Sequence, residues 1–509
     1  MNAAEQLLGP SALERHGARI AYVCGATSLN YRELAAGVAR AAGALHSLGV
    51  RPGERVLLLM RDTPEFAAAW LETVHAGAVA IALNSKLSAE EFRHVLADSG
   101  ARLAIVEDLF AAARPDLAAE HAAVTVIAGE GGRGGAARSW REAWERALPR
   151  AAFDAQPDTP AFWLYSSGTT GKPKGIIHAH RSLLHAGQGM REVIGLGPGD
   201  KVFATSKLFF AYALEHGLLG PLAIGATSVL DPEWADADRV LDLVSAQRPD
   251  AFFSVPTFYR RLLSLGAERL APFRSVRRFV AAGERLPAPL VEQWRAATGG
   301  EILSLYGMSE TFCACMVTPP GTSAAGRTGK PLEGVGTRLE TADGWAVAPG
   351  ETGTLWIRHP ALALGYANRP EETAAQFRDG WFCSRDLFVR DSEGHFCHQG
   401  RADELLKIAG QWVQPAELEE VFAGDPAITE VACVPVTDGD GFERLALFVA
   451  ARDDAERAAA AAGVACERLP RHKRPKWIRT LDELPRTSTG KVQRFKLRAL
   501  LERELAGGD

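Results

Sequence analysis

Cysteine is scarce in this 509-residue sequence, which has seven cysteines and no CxxC pair. An odd number without paired spacing argues against a disulfide framework and favours a reducing compartment. An excess of positive charge is also missing, because 57 Lys and Arg face 62 Asp and Glu, which leaves a formal net charge of -5. A nucleic-acid-binding protein is therefore a poor interpretation.

Long apolar runs are missing as well. The most apolar stretch, residues 67–83, is interrupted by Glu72 and His75, and it falls short of the roughly 20 apolar residues that span a bilayer. The first 17 residues have no apolar core of the kind that a signal peptide requires. We expect a soluble cytoplasmic protein that binds no membrane.

Two helix–strand series account for most of the first 320 residues. Apolar residues make up 47% of the chain, as in globular proteins. The first series begins with a predicted helix over 31–48 and a strand over 56–60. The second begins with a strand over 161–165 and ends with a strand over 301–305, and its predicted helices include 181–193, 213–222 and 237–247. This alternation predicts two doubly wound α/β subdomains.

The pattern changes after residue 320. Short alternating segments separated by Gly and Asp over residues 321–400 predict a small β-barrel or sheet. Strand-like and helix-like segments then share residues 403–509, which are enough for a separate α+β domain. We therefore divide the chain into an N-terminal domain, 1–402, and a C-terminal domain, 403–509.

The most informative motif is Tyr-Ser-Ser-Gly-Thr-Thr-Gly-Lys-Pro-Lys-Gly at residues 165–175, after a predicted buried strand and before a predicted helix. Glycines let backbone NH groups converge on an anion, while hydroxyls and lysines add donors and charge. It is not a Walker A loop, because Pro173 follows Lys172. The motif predicts a phosphate-binding loop formed by Ser166, Ser167, Gly168, Thr169, Thr170, Gly171, Lys172 and Lys174.

Further motifs follow along the chain: Ala282-Gly283-Glu284, Tyr306-Gly307-Met308-Ser309-Glu310, Asp386, Gly400-Arg401-Ala402-Asp403 and Pro485-Arg486-Thr487-Ser488-Thr489-Gly490-Lys491. With the loop, they resemble the adenylate-forming superfamily, which includes acyl-CoA and aryl-CoA synthetases, over nearly the whole chain. The resemblance implies a large N-terminal domain of two α/β subdomains and a β-barrel, joined at a hinge to a small mobile C-terminal domain. It also implies a ligase that uses ATP, Mg²⁺ and a thiol acceptor.

The same resemblance implies roles for individual residues. Lys491 would bridge the substrate carboxylate and the α-phosphate of ATP, and Glu310 would bring Mg²⁺ to the phosphates. Asp403 would be the hinge and Gly410 would line the thiol tunnel. Thr169 and Lys407 are further catalytic candidates, Lys407 near the carboxylate or phosphate. The nucleotide-binding residues implied outside the loop are Gly283, Glu284, Tyr306, Gly307, Ser309, Asp386 and Arg401.

The sequence departs from this family's usual pattern in three motifs. Ser309 stands where Thr is more usual, and Glu404 replaces the second Asp of the hinge pair. Ser384-Arg385-Asp386 replaces a common Thr-Gly-Asp, and Arg385 adds bulk and charge beside the expected ribose contact.

The run Lys207-Leu208-Phe209-Phe210-Ala211-Tyr212 resembles benzoate- and hydroxybenzoate-CoA ligases, in which the Tyr contacts the aromatic ring. Phe210 stands where amino-acid-activating relatives place an Asp, so an α-amino acid would bury its ammonium without a counter-charge. We expect a small aromatic carboxylic acid, with its ring substituents left open. The predicted aryl slot comprises Phe210, Ala211, Tyr212, Ala281, Ala282, Gly283, Tyr306 and Gly307.

The acceptor stays open between two thiols. Coenzyme A is the first interpretation, and the basic run 471–476 could meet its phosphates or be a solvated face. The alternative is an enzyme that loads the phosphopantetheine of a separate carrier protein, since no carrier domain follows Lys491. A homodimer is common among similar enzymes.

Two other motifs suggest rival classes. Residues 129–134 satisfy GxGxxG, but the acidic strand end that a dinucleotide-binding oxidoreductase needs about 20 residues later is missing. Cys383, His395, Cys397 and His398 lack the paired spacing of a zinc site, so ordinary strand residues are the better interpretation. A nucleotide-binding descendant without activity is a third class, against which Lys491, Glu310 and the intact loop argue.

Overall fold

A computed structural model of the chain describes residues 1–115, 121, 125–129, 138–167, 173–323, 326–402, 406–408, 411–422, 427–439, 441–451, 454–486 and 492–506. The chain divides into two compact units. The first comprises Met1–Arg338, Trp356–Ser384 and Arg390–Cys397, and the second comprises Leu339–Leu355, Arg385–Val389 and His398–Asp509. The boundary at 402/403 stays a prediction. No helix in the described ranges is long and apolar enough to cross a membrane.

The first unit contains an eight-stranded sheet. Its spatial order is Gly365–Tyr366, Pro173–Ala179, Pro160–Ser167, Val79–Ala82, Arg55–Leu59, Leu103–Glu107, Thr125–Ala128 and Arg138–Ser139. The six strands from Pro160–Ser167 to Arg138–Ser139 pair in parallel. The strand Pro173–Ala179 pairs antiparallel with Pro160–Ser167 on one side and with Gly365–Tyr366 on the other.

A nine-stranded sheet completes this unit. Its order is Lys330–Pro331, Met316–Val317, Ile302–Tyr306, Arg278–Ala281, Ala251–Ser254, Lys201–Ala204, Thr227–Val229, Ile20–Cys24 and Thr27–Asn30. Because the inner strands are parallel, their carboxyl ends meet at one edge, which is where α/β sheets bind ligands.

The prediction for the two sheets was wrong about one strand and missed another. The strand that begins the second series lies in the first sheet, where Ala80 pairs with Phe162. The second sheet instead takes Ile20–Cys24 from the N-terminus, through pairing of Tyr22 with Ser228. Hydrophobic spacing identifies strands but carries no information on which sheet a buried strand joins.

Helices cover the sheets and begin at recognisable signals. Asn30 and Ser88 form capping boxes with Glu33 and Glu91, and Thr63 caps a helix that starts at a proline. In the described part of the chain the α-helices are Ala3–Leu8, Pro10–His16, Tyr31–Ser47, Pro64–His75, Ala89–Ser99, Asp108–Ala113, Trp140–Arg146, His180–Leu183, Ala211–Leu214, Gly220–Ile224, Ala237–Gln247, Pro256–Leu263, Ala288–Thr298, Pro370–Gln376, Pro415–Phe422, Ala455–Glu467 and Arg494–Ala506.

Two predicted helices are interrupted. The helix expected over 181–193 is a short helix, His180–Leu183, and a π-helical turn, Met190–Ile194. Gly187 lies between them at φ +79°, a left-handed conformation that ends a helix, and a side chain there would strike the Gly220 carbonyl at 2.8 Å. The helix expected over 213–222 likewise contains a π-helical turn, Glu215–Leu219.

The other strands of the described residues form three further sheets. A five-stranded sheet is formed by Gly336–Glu340, Thr352–Arg358, Trp381–Arg390 and Phe377–Arg378 in that order, with Phe396–Arg401 paired to Trp381–Arg390. It stands where the sequence predicts a small barrel or sheet. The remaining sheets are the pair Leu406–Ile408 with Gln411–Val413, and the three strands Ile428–Thr437, Glu443–Ala451 and Trp477–Leu481.

Candidate functional site

The phosphate-binding motif connects the two strands of a hairpin. Ser167 pairs with Pro173, and the antiparallel register continues to Pro160 and Ala179. The sequence analysis did not predict a strand between this loop and the helix that follows, and the structure has one there, Pro173–Ala179, as the second strand of the hairpin. Residues 168–172, which include the candidates Gly168, Thr169, Thr170, Gly171 and Lys172, lie outside the described residues.

Both strands of this hairpin are fixed to the helix Ala89–Ser99. The Tyr165 hydroxyl donates to Asp98 Oδ2 at 2.7 Å. The ring of His94 approaches the Pro173 carbonyl through Nε2 at 2.9 Å. The two ends of the phosphate-binding segment thus have a defined position in the first unit.

Lys174 lies just after this segment and is largely buried. Its Nζ is 2.8 Å from Glu372 Oε1 and 3.9 Å from Glu310 Oε1, and its side chain is 15% exposed. The ammonium also lies 3.8 Å from the centre of the Tyr366 ring, a cation–π contact. The structure therefore brings together two predicted site residues, Lys174 and Glu310, that are far apart in the sequence.

Glu310 lies in the turn after the strand Ile302–Tyr306, and a histidine side chain contacts the backbone of that turn. The His178 ring approaches the Ser309 carbonyl through Nε2 at 2.8 Å and stacks on Phe162 at 4.8 Å. Burial lowers the pKa of His178 to about 4, so this histidine is neutral at pH 7. It acts as a fixed hydrogen-bond donor and not as a charge.

Tyr212 lies at the carboxyl edge of the nine-stranded sheet. Its hydroxyl is within hydrogen-bond distance of the Ser254 and Val280 carbonyls, at 3.3 and 3.2 Å. Ser254 and Ala281 pair in neighbouring strands, so Tyr212 lies near the predicted wall residues Ala281 and Ala282. Because the hydroxyl is engaged by the backbone, the side chain offers its ring, and the neighbouring Phe253 ring is 6.3 Å away.

Other residues of the predicted aryl slot have the following local surroundings. Phe210 precedes the helix Ala211–Leu214 and its ring lies 4.1 Å from that of Phe209. Gly283 has φ +84°, a left-handed conformation that favours glycine. A side chain at Gly307 would approach the Cys313 carbonyl at 3.3 Å.

Two further predicted residues at this edge have distinct surroundings. Tyr306 ends the strand Ile302–Tyr306 and is half-buried. The Glu284 carboxylate accepts hydrogen bonds from the backbone NH and the hydroxyl of Thr257, both at 3.2 Å. Glu284 is thereby tied to the start of the helix Pro256–Leu263.

Lys207 is an anchor that the sequence reading did not assign. Its buried ammonium donates to the Asp231 carbonyl at 2.7 Å and to the Glu233 carbonyl, and lies 3.5 Å from Asp62 Oδ2. Asp62 also accepts from the Leu208 NH at 3.2 Å. These contacts fix the turn that leads into Tyr212.

Glu215 and His216 pack behind Tyr212, and neither was a candidate. Burial raises the pKa of Glu215 to about 8, although its carboxylate accepts from the Ala314 NH at 3.0 Å. Burial lowers the pKa of His216 to about 4, and its Nδ1 lies 2.9 Å from the Tyr212 carbonyl. Both side chains are therefore largely neutral at pH 7.

The second unit contains the predicted ribose contact. Arg401 Nη1 lies 3.1 Å from Asp386 Oδ1, and His398 Nε2 lies 4.0 Å from the same oxygen. Asp386 is 6% exposed. Arg385, which stands where the family usually has Gly, has φ +59°, so an arginine occupies a left-handed backbone conformation that suits glycine.

Four predicted site residues follow residue 402 in the chain. Lys491, Asp403 and Gly410 lie outside the described residues. Lys407 is described by its backbone alone, in the strand Leu406–Ile408, where it pairs with Trp412.

The residues of the two rival motifs are described only in part. Residues 130–134 of the GxGxxG match lie outside them. Among the described residues, the group with metal-like geometry is Asp391, Glu393 and His395, which does not include Cys383, Cys397 or His398. Arg327 already forms ion pairs with Asp391 and Glu393, at 3.1 and 2.8 Å.

Tyr366, Glu372 and Gln376 are site neighbours that sequence reasoning missed. Glu372 lies 198 positions from Lys174, and Tyr366 lies 56 positions from Glu310. Residue type alone gives no signal for such pairs.

Comparisons with known proteins identify the family of the chain. Residues 10–367 match the model of the AMP-binding enzyme family, and residues 417–491 match that of the AMP-binding enzyme C-terminal domain. The chain is 40% identical over 509 residues to a 3-hydroxybenzoate–CoA ligase of Aromatoleum sp. (strain CIB), covering 99% of this chain and 97% of the relative.

Two solved structures are similar throughout. A benzoate CoA ligase from Burkholderia xenovorans LB400 has a TM-score of 0.87 and 34% identity, covering 98% of this chain and 100% of its own. An anthranilate CoA ligase in complex with anthranoyl-AMP has a TM-score of 0.91 and 32% identity, covering 99% of this chain and 98% of its own. From its motifs, its fold and these matches, the chain belongs to the AMP-binding enzyme family.

Proposed function

We propose that this chain is an ATP-dependent aryl-CoA ligase. It converts a benzoate-type acid and ATP into an aryl adenylate and pyrophosphate, and then transfers the aryl group to the thiol of coenzyme A with release of AMP. The observation that carries the aryl assignment is Tyr212, whose hydroxyl is engaged by backbone carbonyls so that its ring is left for the substrate. Full-length similarity to a relative named for 3-hydroxybenzoate supports the same class.

The first half-reaction needs a supply of positive charge and donors. A carboxylate has no good leaving group, and bringing it to the α-phosphate of ATP places like charges together. In our proposal the loop residues 166–172 and Lys174 bind the phosphates, with Thr169 donating a hydrogen bond, and Lys491 bridges the carboxylate and the α-phosphate. Lys407 adds a second cation there.

Glu310 is the proposed ligand for Mg²⁺. Its Oε1 contacts Tyr366 and Lys174, whereas within the described ranges Oε2 has no hydrogen-bond or ion-pair partner. A carboxylate oxygen is the type of ligand that Mg²⁺ prefers. When bound, the ion would neutralise charge on the phosphates.

The remaining nucleotide contacts in this proposal are those of the ribose and the base. Asp386 accepts from the ribose hydroxyls and Arg401 reaches the ribose or a phosphate. The base and sugar lie against Gly283, Glu284, Tyr306, Gly307 and Ser309.

The aryl slot explains why an aromatic acid suits this chain better than an amino acid. The Tyr212 ring, Phe210 and the small residues Ala211, Ala281 and Ala282 provide apolar surface. Burial keeps Glu215 and His216 largely neutral, so neither offers a full counter-charge to a buried ammonium.

The second half-reaction requires coenzyme A in place of the departing pyrophosphate. We propose that residues 403–509 rotate about Asp403, which presents Lys491 for adenylation and Gly410 for thioester formation. Coenzyme A is our first choice of acceptor, and a carrier protein's phosphopantetheine is the alternative.

Two assays test this function in sequence. Pyrophosphate release with ATP is measured for benzoate, 3-hydroxybenzoate, 4-hydroxybenzoate, 2-aminobenzoate and, as a control, phenylalanine. Thioester yield is then measured with free coenzyme A and with a phosphopantetheinylated carrier protein. We expect release with the aryl acids and aryl-CoA as product. Release with phenylalanine alone would contradict the aryl assignment, and adenylation without aryl-CoA would favour the carrier protein.

A lysine substitution separates the two half-reactions. We expect Lys491→Ala to lower the rate of adenylation by about 10²- to 10³-fold, while purified aryl adenylate is still converted to aryl-CoA. The control is Lys496→Ala, which removes an exposed lysine of the same segment. Equal losses in both half-reactions would refute the role of Lys491.

Assembly and location complete the proposal. We propose a cytoplasmic enzyme that forms a homodimer. Light scattering after size-exclusion chromatography would give twice the 54.6 kDa chain mass for a dimer, and a monomer at assay concentration would refute it.

A further inference from the structure

One segment of the first unit holds both Glu310 and Lys174. The Ala363 NH donates to the Glu310 carbonyl at 2.8 Å. The strand Gly365–Tyr366 then pairs with Pro173–Ala179, with Tyr366 opposite Ile176, and the Ala367 NH donates to the Gly175 carbonyl at 2.9 Å. The backbone on either side of Tyr366 is therefore fixed relative to both residues.

The Tyr366 side chain meets the two charges at once. It is 5% exposed, its hydroxyl lies 2.8 Å from Glu310 Oε1, and its ring lies 3.8 Å below Lys174 Nζ. Its ring edge packs on Phe377 at 5.5 Å. A side chain held by packing has little freedom to move its hydroxyl away from Glu310.

A count of hydrogens assigns the direction of this bond. The tyrosine hydroxyl has one hydrogen, and its neighbouring acceptors in the described part of the chain include Glu310 Oε1 at 2.8 Å and Gln376 Oε1 at 3.1 Å. The nearer acceptor is a carboxylate, and hydrogen bonds to charged groups are the stronger ones. The hydroxyl therefore donates to Glu310.

We propose that Tyr366 is a positioning residue for Glu310. By holding Oε1, it orients the carboxylate so that Oε2 is available to Mg²⁺, and it keeps the Lys174 ammonium beside the same group. This inference rests on the proposed role of Glu310 as the Mg²⁺ ligand. Outer partners of metal ligands typically change metal affinity by about 10- to 100-fold when they are removed.

The test is Tyr366→Phe, which removes the hydroxyl and keeps the ring beneath Lys174. Binding of ATP is followed by isothermal titration calorimetry over a series of Mg²⁺ concentrations. We expect the Mg²⁺ concentration for half-maximal enhancement of ATP binding to rise by about 10- to 100-fold. We expect kcat at saturating Mg²⁺ to stay within about threefold of the wild type. An unchanged Mg²⁺ requirement overturns the proposal, even if the melting temperature falls.

Tyr31→Phe is the matched control, because that buried hydroxyl donates to the Pro221 and Ala226 carbonyls and not to Glu310. It should cost stability without moving the Mg²⁺ requirement. If it moves the requirement as far as Tyr366→Phe does, the specific role of Tyr366 is refuted.

Glu310→Gln distinguishes failure of this inference from failure of the proposed function. Suppose that Mg²⁺ no longer enhances ATP binding in Glu310→Gln, while Tyr366→Phe keeps the wild-type Mg²⁺ requirement. That result overturns the positioning role of Tyr366 and leaves the metal role of Glu310 intact. An intact Mg²⁺ effect in Glu310→Gln overturns the metal role of Glu310 and the inference with it. The double variant should bind no more weakly than Glu310→Gln, because the tyrosine acts through the glutamate.

Discussion

Replacing Lys207 by Met tests whether a buried ion pair supports the turn that leads into Tyr212. The change keeps most of the side-chain volume but removes a charge that lies 3.5 Å from Asp62, with both side chains at most 10% exposed. It also removes the donor to the Asp231 and Glu233 carbonyls. We expect the free energy of unfolding to fall by about 3–5 kcal/mol, the usual cost of leaving one buried charge without its partner.

The loss should depend on pH in a defined direction. Burial raises the pKa of Asp62 to about 6 in the folded protein, although Lys207 pulls it down. A carboxyl group whose pKa is raised by folding loses stability as pH rises through its folded value. Without Lys207 that pKa rises further, so the loss should be larger at pH 8 than at pH 5.

The assay is urea unfolding followed by the fluorescence of tryptophan, since Trp70 and Trp294 are buried in the first unit. The matched control is Lys201→Met, because that lysine donates to a single carbonyl, that of Gln247, at 2.8 Å. It should cost about 1 kcal/mol or less. Equal losses for the two variants, or a Lys207→Met loss independent of pH, would refute the reasoning.

Three shorter predictions concern the same structure. Tyr212→Phe should leave the KM for the aryl acid within about threefold, whereas Tyr212→Ala should raise it about tenfold or more, because the ring makes the contact; if the hydroxyl binds the substrate, steady-state kinetics would show KM raised about equally in both variants. Arg385→Gly should keep the melting temperature or raise it, while Arg385→Ile should cost about 1–2 kcal/mol, since φ is +59° there; equal melting temperatures would contradict this. Folding raises the pKa of Glu215 to about 8, so stability should fall as pH rises from about 4.5 to 8. Glu215→Gln should flatten that dependence in thermal melts, and an unchanged slope would contradict the assignment.

Local patterns predicted many elements because their causes are local. The helix Ala237–Gln247 has the bounds that its apolar spacing predicts, and Asp236 caps its start. The fold class and the family are likewise confirmed, since ordered motifs along the chain specify them. Helix breaks such as the one at Gly187 depend on the approach of Gly220, which spacing does not show.

The candidate site likewise has a part that the sequence predicted and a part that it did not. Sequence motifs placed Lys174 and Glu310 in one site, and the structure brings them within 3.9 Å. The partners that hold them, Tyr366 and Glu372, come from a strand and a helix far along the chain, so one sequence gives no sign of them. The roles of Lys491, Asp403 and Gly410 stay predictions.

The pairing of an N-terminal strand with a strand of the second series affects how the chain folds during synthesis. Tyr22 is among the first residues to leave the ribosome, yet its neighbour across the sheet, Ser228, follows more than 200 positions later. At 5–20 residues per second, the early hairpin waits roughly 10–40 s with an unpaired edge. Chains that end before Ser228 would expose this strand edge to other molecules. We therefore expect fragments that end near residue 160 to aggregate and not to fold as independent domains.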